Sequence, residues 1–155
     1  MTNQPPFDLA AAHHYFAAYC FNTAWDLIDK PQRTPAEDEQ MLLRTFASFF
    51  HWTQRADCTP KNRSISLWQV SRVYALLGQA ENALHFAEQC LAESQAPELP
   101  PYCLGYAYEA LARAEMLAGD RAAVQKYLAK AHEVATKMTD EEARTLLLKD
   151  LETIQ

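Results

Sequence analysis

Three histidines and one cysteine are the residues of this chain whose chemistry best suits a metal ion. Imidazole nitrogen and thiolate sulfur are the usual ligands of zinc, and the chain supplies them at His13, His14, His51 and Cys58. No two of them have the i, i+4 spacing that brings ligands together on one helical face, and adjacent helical residues point about 100° apart. A helical-bundle metal-binding protein or enzyme is therefore one hypothesis. The other is that His14 forms a hydrogen bond inside the core.

Motifs of catalysis and of nucleotide binding are absent from the sequence. It contains no glycine-rich phosphate loop, no G-x-S-x-G nucleophile elbow and no H-E-x-x-H zinc motif. An enzyme is thus the less favoured class of protein, and the sequence indicates no cofactor.

Charge and hydropathy narrow the class of partner. Fourteen basic against twenty acidic side chains give a formal net charge of -6, and no basic run is long enough to neutralise successive phosphates. The longest apolar stretch, Leu9 to Phe21, is interrupted by two histidines and is too short to span a bilayer. The segment from Met1 to Asp8 lacks the basic residues of a secretory signal. We therefore expect a cytoplasmic protein that binds neither nucleic acid nor membrane.

Hydrophobic periodicity predicts an all-α fold of about seven helices in a single domain, residues 1–155. The chain holds only three glycines and nearly half of its residues are hydrophobic, which favours helices over tight hairpin turns. An apolar stripe predicts a first helix from about residue 7 to residue 29. Thr34-Pro35-Ala36-Glu37 has the pattern of a capping box, so a second helix is expected to run to about residue 54. Together they would form an N-terminal helical hairpin over residues 7–54.

The first helix is apolar nearly all round. One stripe holds Phe7, Ala11, His14, Ala18, Phe21, Trp25 and Ile28, and the opposite side holds Ala12, Tyr15, Phe16, Tyr19 and Cys20. Such a helix must be buried on both sides, either as the central helix of the domain or as half of a homodimer interface. The phenylalanines of the second helix, Phe46, Phe49 and Phe50, are expected to face it.

A loop over residues 55–64 is predicted to follow the hairpin. Asn62 or Ser64 is expected to cap a third helix over residues 65–77. Helix four would then cover about residues 80–93.

Prolines, glycines and acidic residues mark the ends of the remaining helices. Pro101 is well placed to begin helix five, which ends before Gly119. Asp120 would cap helix six. Thr139-Asp140-Glu141-Glu142 has the pattern of a second capping box and opens a C-terminal helix over residues 139–153.

The second half of the chain contains an internal repeat. A displacement of 41 residues superimposes Gly78, expected as the left-handed cap of the third helix, on Gly119. The same displacement superimposes Leu67 on Tyr108, Val70 on Leu111, Ser71 on Ala112, Ala83 on Val124, Ala87 on Leu128 and Cys90 on Ala131. Small residues recur where helices approach closely, and large apolar residues recur where a core is filled. The sequence therefore predicts two similar helical hairpins over residues 62–138.

The first copy, Leu67-x-x-Val70-Ser71-x-x-Tyr74-x-x-x-Gly78-x-x-x-x-Ala83, resembles the tetratricopeptide repeat. In that family a large residue, a leucine and a small residue precede a glycine-containing turn, and the second helix carries spaced alanines. The second copy departs from this pattern, with Glu115 in place of the aromatic residue and Val124 in place of an alanine. Residues 107–114 and 118–120 are also similar to short bacterial proteins of unassigned function.

The resemblance implies a fold and a binding face. Antiparallel αα-hairpins would stack as a short right-handed solenoid, with the helix over 139–153 as its polar cap. Ligands of the family lie in a groove lined by the first helix of each pair. On this chain the groove would hold Ile65, Trp68, Arg72, Ala75 and Leu76 from one copy, and Tyr106, Glu109, Arg113 and Met116 from the other.

Arg72 and Arg113 are equivalent across the repeat, and they form the candidate binding site together with Trp68, Tyr106 and Glu109. Guanidinium groups bind carboxylates bidentately, and flanking aromatic rings anchor apolar side chains. One hypothesis is therefore a two-pronged receptor for a carboxylate or an acidic peptide. The alternative is that both arginines pair with Glu109 or neighbouring acids and only solvate the surface.

These observations favour a cytoplasmic, non-enzymatic scaffold that binds a protein or a peptide. One alternative is a helical bundle that uses His13, His14 and His51 for metal binding or catalysis. Another is a structural homodimer in which the first or the second helix is buried between subunits.

Overall fold

The computed structural model describes residues 5–155, which form seven α-helices and no strand. In chain order the helices are α1 (Leu9–Ile28), α2 (Pro35–Thr53), α3 (Pro60–Leu76), α4 (Ala80–Ser94), α5 (Pro101–Ala118), α6 (Arg121–Thr136) and α7 (Glu141–Leu151). The predicted all-α class and number of helices are confirmed. Across these residues no helix is both long and apolar enough to cross a membrane. Residues 1–4, which belong to the segment that lacks the basic residues of a secretory signal, lie outside the described range.

The contacts divide the chain into two compact units, Met1–Thr59 and Pro60–Gln155. In the first, α1 and α2 pack against each other as an antiparallel pair, which we call the N-terminal hairpin. The direction follows from two cross-contacts: Ser48 Oγ donates to the Ala17 carbonyl at 2.8 Å, and Arg44 Nη1 donates to the Thr23 carbonyl at 2.9 Å. The single domain over 1–155 stays a prediction.

Small side chains form much of the contact between α1 and α2. The buried residues are Ala17, Ala24 and Ile28 of α1 and Met41, Thr45 and Ser48 of α2. Because alanine and serine let the two backbones come close, the larger rings are displaced to the flanks. The predicted stripe of α1 is therefore wrong in part, because His14 and Ala18 are exposed. Phe50 contacts His13 of α1, as predicted, but is 56% exposed.

Most of the predicted helix ends are confirmed. The Thr34 hydroxyl accepts from the Glu37 amide, and Glu37 Oε2 accepts from the Thr34 amide at 2.9 Å, which completes the capping box. Gly78 and Gly119 have φ angles of 71° and 86°, a left-handed conformation that glycine adopts at little cost. Asp120 caps α6 by accepting from the Ala123 amide at 3.0 Å.

Two helix starts differ from the prediction. α3 begins at Pro60, so Asn62 and Ser64 lie inside the helix and do not cap it. Proline fits the first turn of a helix, where its missing N–H is not needed, and this explains why the loop is shorter than expected. α7 is capped by Asp140, which accepts from the Ala143 amide at 3.0 Å, and not by a capping box that starts at Thr139.

In the second unit, Pro60–Gln155, each helix packs against the next one along the chain. In addition, α3 contacts α5 and α5 contacts α7, so α5 touches every other helix of the unit. Four equivalent pairs of the 41-residue repeat are buried alike: Val70 and Leu111, Ser71 and Ala112, Ala83 and Val124, Cys90 and Ala131. In the other two, Leu67 and Ala87 are buried but Tyr108 and Leu128 only partly. The internal repeat therefore corresponds to a repeated packing of helices.

Burial isolates the thiol of Cys90 in the first copy. Its Sγ lies 3.3 Å from the Ser64 carbonyl, and the hydroxyls of Ser64 and Ser94 are 2.7 Å apart beside it. Desolvation raises the pKa of Cys90 to about 12, with the two serine hydroxyls opposing the shift. Cys90 is thus a neutral core residue at physiological pH.

α7 packs against α5 through a glycine. Leu147 and Leu151 of α7 and Ile154 just beyond it are buried, and Ala143 packs beside them. A Cβ atom added to Gly105 of α5 would lie 2.5 Å from Leu147 Cδ2, well inside van der Waals contact. The absence of a side chain at Gly105 is therefore what lets α7 approach α5.

Candidate functional site

The five predicted site residues come together in the second unit. Trp68 and Arg72 lie on α3, while Tyr106, Glu109 and Arg113 lie on α5, the helix that packs beside it. α7, the predicted polar cap, adds Asp150. We call these six residues the Glu109 cluster.

The carboxylate of Glu109 is the centre of the cluster and is fully buried. One oxygen, Oε2, accepts from Trp68 Nε1 at 2.9 Å. The other, Oε1, accepts from Arg72 Nη1 at 3.0 Å and from Arg113 Nε at 2.7 Å. Both arginines therefore pair with Glu109, as the alternative hypothesis expected, but they do so inside the protein and not on a solvated surface.

Arg113 connects α5 to the end of α7. Besides its bonds to Glu109, its Nη2 atom donates to Thr153 Oγ1 at 2.7 Å and to the Asp150 carbonyl at 3.2 Å. The Arg113 side chain is only 11% exposed. Its position in the structure is therefore that of a clamp between two helices.

Arg72 has donors that the protein does not use. Its Nη1 atom donates to Glu109, but its Nη2 atom is 3.9 Å from Asp150 Oδ1, beyond hydrogen-bond range. Its Nε atom is buried and has no hydrogen-bond partner. Burial lowers the pKa of Arg72, and the adjacent Glu109 carboxylate opposes that shift. The unpartnered Nε is a cost to the fold, and Nη2 is the donor that a further acceptor can satisfy, since the side chain is 17% exposed.

Two aromatic rings flank the arginine. Trp68 and Tyr106 pack edge to face, with ring centroids 5.0 Å apart. The Tyr106 hydroxyl donates to Asp150 Oδ2 at 3.1 Å. Burial, followed by the charge of Glu109, raises the pKa of Asp150. The cluster thus combines two buried cations, two carboxylates and the rings of Trp68 and Tyr106.

A signal for Asp150 is present in the sequence. The 41-residue displacement that superimposes Trp68 on Glu109 superimposes Glu109 on Asp150 when it is applied once more. Asp150 on α7 therefore follows Glu109 on α5 at the same spacing at which Glu109 follows Trp68 on α3. Thr153 gives no comparable signal, because its contact with Arg113 depends on how the chain leaves α7.

The histidines of the N-terminal hairpin form a pair that the sequence spacing did not reveal. His13 Nδ1 and His51 Nδ1 are 2.8 Å apart, so one nitrogen carries a proton and the other accepts it. Burial, followed by the charge of His13, lowers the pKa of His51. His14, expected to form a hydrogen bond in the core, is exposed instead.

Within residues 5–155, no three His, Cys, Asp or Glu residues lie close enough together to hold a metal ion. The two imidazoles also direct their Nδ1 atoms at each other across a hydrogen bond, which leaves no space for an ion between them. The described geometry gives a metal site no support.

No protein-family model, curated protein or solved structure matches this chain. A function for this chain can therefore be inferred only from its own geometry. Two features of that geometry stand out. One is the Glu109 cluster, in which Arg72 has donors without acceptors, and the other is the His13–His51 pair among exposed aromatic rings.

Proposed function

We propose that this chain is a non-enzymatic scaffold that binds a protein or a peptide on the face formed by α3, α5 and α7. The observation that carries the proposal is Arg72, whose side chain is 17% exposed and whose Nη2 atom lies 3.9 Å from Asp150 Oδ1, beyond hydrogen-bond range. A carboxylate of the partner supplies an acceptor for Nη2. Trp68 and Tyr106 beside it anchor an adjacent apolar side chain. The proposal involves no cofactor and sets the protein in the cytoplasm.

The packing order of the helices supports a tetratricopeptide-like arrangement. α3, α5 and α7 contact one another in sequence, as the first helices of stacked αα-hairpins do, and α4 and α6 lie between them along the chain. We take α7 as the capping helix of a short right-handed solenoid. In this arrangement the Glu109 cluster lies on the face where such scaffolds bind ligands.

Arg72 and Arg113 have different roles in the proposal. Glu109 already fills the space between them, and Arg113 donates to Glu109, Thr153 and the Asp150 carbonyl. The partner therefore meets Arg72, while Arg113 holds the site in shape.

The charge of the whole chain limits which acidic partners fit. A net charge of -6 repels a strongly acidic peptide at long range. We therefore expect a partner segment with one or two carboxylates beside an aromatic or aliphatic residue, rather than an acidic run.

The proposal predicts the outcome of selecting peptides from a random display library on the purified protein. Selected peptides should share an Asp or Glu next to an apolar residue. Arg72→Gln should weaken their binding by about 10-fold to 100-fold, because a hydrogen bond to a charged group contributes about 1.5–3 kcal/mol. Titration calorimetry with a synthetic copy of the selected peptide measures this change.

Two controls separate binding from folding in this test. Arg144 of α7 pairs with the exposed Glu141, and Arg144→Gln should leave the affinity unchanged. Replacing the peptide carboxylate by its amide should reduce binding to the unaltered protein as much as Arg72→Gln does. Equal affinity for the acid and amide peptides, or a library that yields no binder, would overturn the proposal.

A further inference from the structure

The N-terminal hairpin carries a continuous surface of rings. Tyr15, Phe16 and Tyr19 of α1 contact one another, with ring centroids 5.2–6.4 Å apart. Phe16 also contacts His51, which in turn contacts His13 and Phe50. We call these six residues the aromatic-histidine surface.

This surface is exposed to a degree that is unusual for aromatic rings. Tyr15 is 59% exposed, Phe50 56%, Tyr19 50% and Phe16 40%. With about 200 Å² for a whole aromatic side chain, these four rings expose about 400 Å². That area is as large as the largest apolar patch of a typical monomer, and such patches mark interaction sites.

We propose that the aromatic-histidine surface binds the same surface of a second copy of this chain. An isologous pair of hairpins would form a four-helix bundle, the common way for two-helix units to bury their outer faces. Phe7, Leu9 and Leu43 on the same two-helix unit are also at least 50% exposed and would add about 300 Å². The sum approaches the roughly 800 Å² per partner of a stable interface.

The lack of charged residues along most of α1 favours a second copy over a partner of different chemistry. Between Asp8 and Asp26 the chain has no Asp, Glu, Lys or Arg, although such residues make up 22% of the whole sequence. A helix face without charge cannot select a charged partner, but it complements another face of the same kind.

The sizes of the exposed side chains on α1 also suit an antiparallel pairing. Tyr15 lies between Ala11 and Ala18 on one exposed stripe. A two-fold axis close to Tyr15 would bring Tyr19 opposite Ala11 of the partner subunit, a large side chain over a small one. Ridges of rings and grooves of alanine interlock in this way when helices pack.

The histidine pair makes this interface sensitive to pH. One proton shared between His13 Nδ1 and His51 Nδ1 keeps the bond, but two imidazolium groups would break it and place two charges at the apolar surface. Arg55 and Asp57, which follow α2, pair with each other, and His14 acts electrostatically on that same Asp57.

The sign of the pH effect follows from burial. His51 has a pKa below its usual value because burial favours the neutral ring, so its contribution to stability is present above about pH 6.5 and is lost as pH falls. Further burial against a second copy strengthens that preference. The dimer should therefore be complete at neutral pH and weaken in mild acid.

Sedimentation of the full chain tests the proposal. We expect a mass of twice 17.6 kDa at about pH 7.5 and a shift toward 17.6 kDa at about pH 5.5. Tyr15→Glu and Ala11→Lys should each raise the dimer dissociation constant by at least about tenfold. Both positions are exposed in the single chain, so the helical circular-dichroism signal should persist.

A matched control lies on the other unit of the chain. Leu146 of α7 is 52% exposed, and Leu146→Lys should leave the dimer intact. A monomer at neutral pH, including one in which the surface is covered by the rest of the same chain, would overturn the proposal. A dimer that survives both α1 variants would also overturn it. A mass that is the same at both pH values would contradict the pH dependence assigned to the histidine pair.

Discussion

Glu109→Ala should lower the free energy of unfolding of the Pro60–Gln155 unit by about 3–5 kcal/mol. The variant leaves Arg72 and Arg113 buried without the carboxylate that both of them contact, and an uncompensated buried charge is among the largest penalties of a single substitution. Trp68 Nε1 loses its acceptor as well. Urea denaturation followed by circular dichroism measures the change.

A surface carboxylate provides the control for this experiment. Glu133 of α6 also pairs with a basic residue, Lys137, but both side chains are about two-thirds exposed. Glu133→Ala should leave the denaturation midpoint unchanged, because water replaces the lost partner. A Glu109→Ala variant as stable as Glu133→Ala would show that water reaches the cluster and that the arginines do not depend on Glu109.

Removing the charges together should recover part of the loss. With Glu109→Leu, Arg72→Met and Arg113→Met in one chain, no unpaired ion is left, and apolar side chains of similar volume often replace buried ion pairs without cost. The triple variant should therefore be more stable than Glu109→Ala but should no longer bind the selected peptides. That combination would separate the contribution of the cluster to folding from its contribution to binding.

Leu147→Ala is expected to destabilise the same unit by about 2–5 kcal/mol. Leu147 is fully buried, and its loss leaves a cavity where α7 meets α5. Thermal and urea denaturation would both report the effect. Leu146→Ala, one position along the helix and half exposed, is the control and should cost far less.

A substitution at Gly105 tests the contact between α5 and α7 more sharply, because its effect on stability should change sign when Leu147 is also replaced. In the unaltered chain Gly105→Ala places a Cβ atom 2.5 Å from Leu147 Cδ2, and this overpacking should lower the free energy of unfolding by about 1–3 kcal/mol. The higher helix propensity of alanine offsets roughly 1 kcal/mol of that loss. After Leu147→Ala the clash is gone, so Gly105→Ala should become stabilising. Additive effects in this double-mutant cycle would show that the Leu147 side chain moves aside for the added Cβ atom.

Much of the fold of this chain could be predicted because its helix ends have local causes. Thr34 with Glu37, Gly78, Pro101 and Gly119 each mark a helix end through side-chain oxygens, backbone conformation or a missing N–H, and none of these depends on distant residues. The 41-residue repeat was visible as well, because residue types recur at a fixed displacement along the chain. These features could be predicted from the sequence alone.

The contacts that give the site its character depend on distant residues and could be predicted only in part. The sequence predicts the five site residues and, as one alternative, the pairing of both arginines with Glu109, but nothing in their spacing shows that Glu109 is fully buried. The His13–His51 pair joins residues 38 positions apart on two helices, and the spacing rules for one helix cannot detect it. The exposure of Phe50 escaped prediction for a related reason, since alanine and serine, not the rings, bring α1 and α2 together.

The burial of Cys90 makes its thiol a reporter of the separation of α3 from α4. Alkylating reagents attack the thiolate, and a fully buried thiol with a pKa of about 12 supplies almost none of it while α3 and α4 stay together. The labelling rate of Cys90 therefore follows the rare excursions in which these two helices separate, whereas the half-exposed Cys58 reacts without any such excursion.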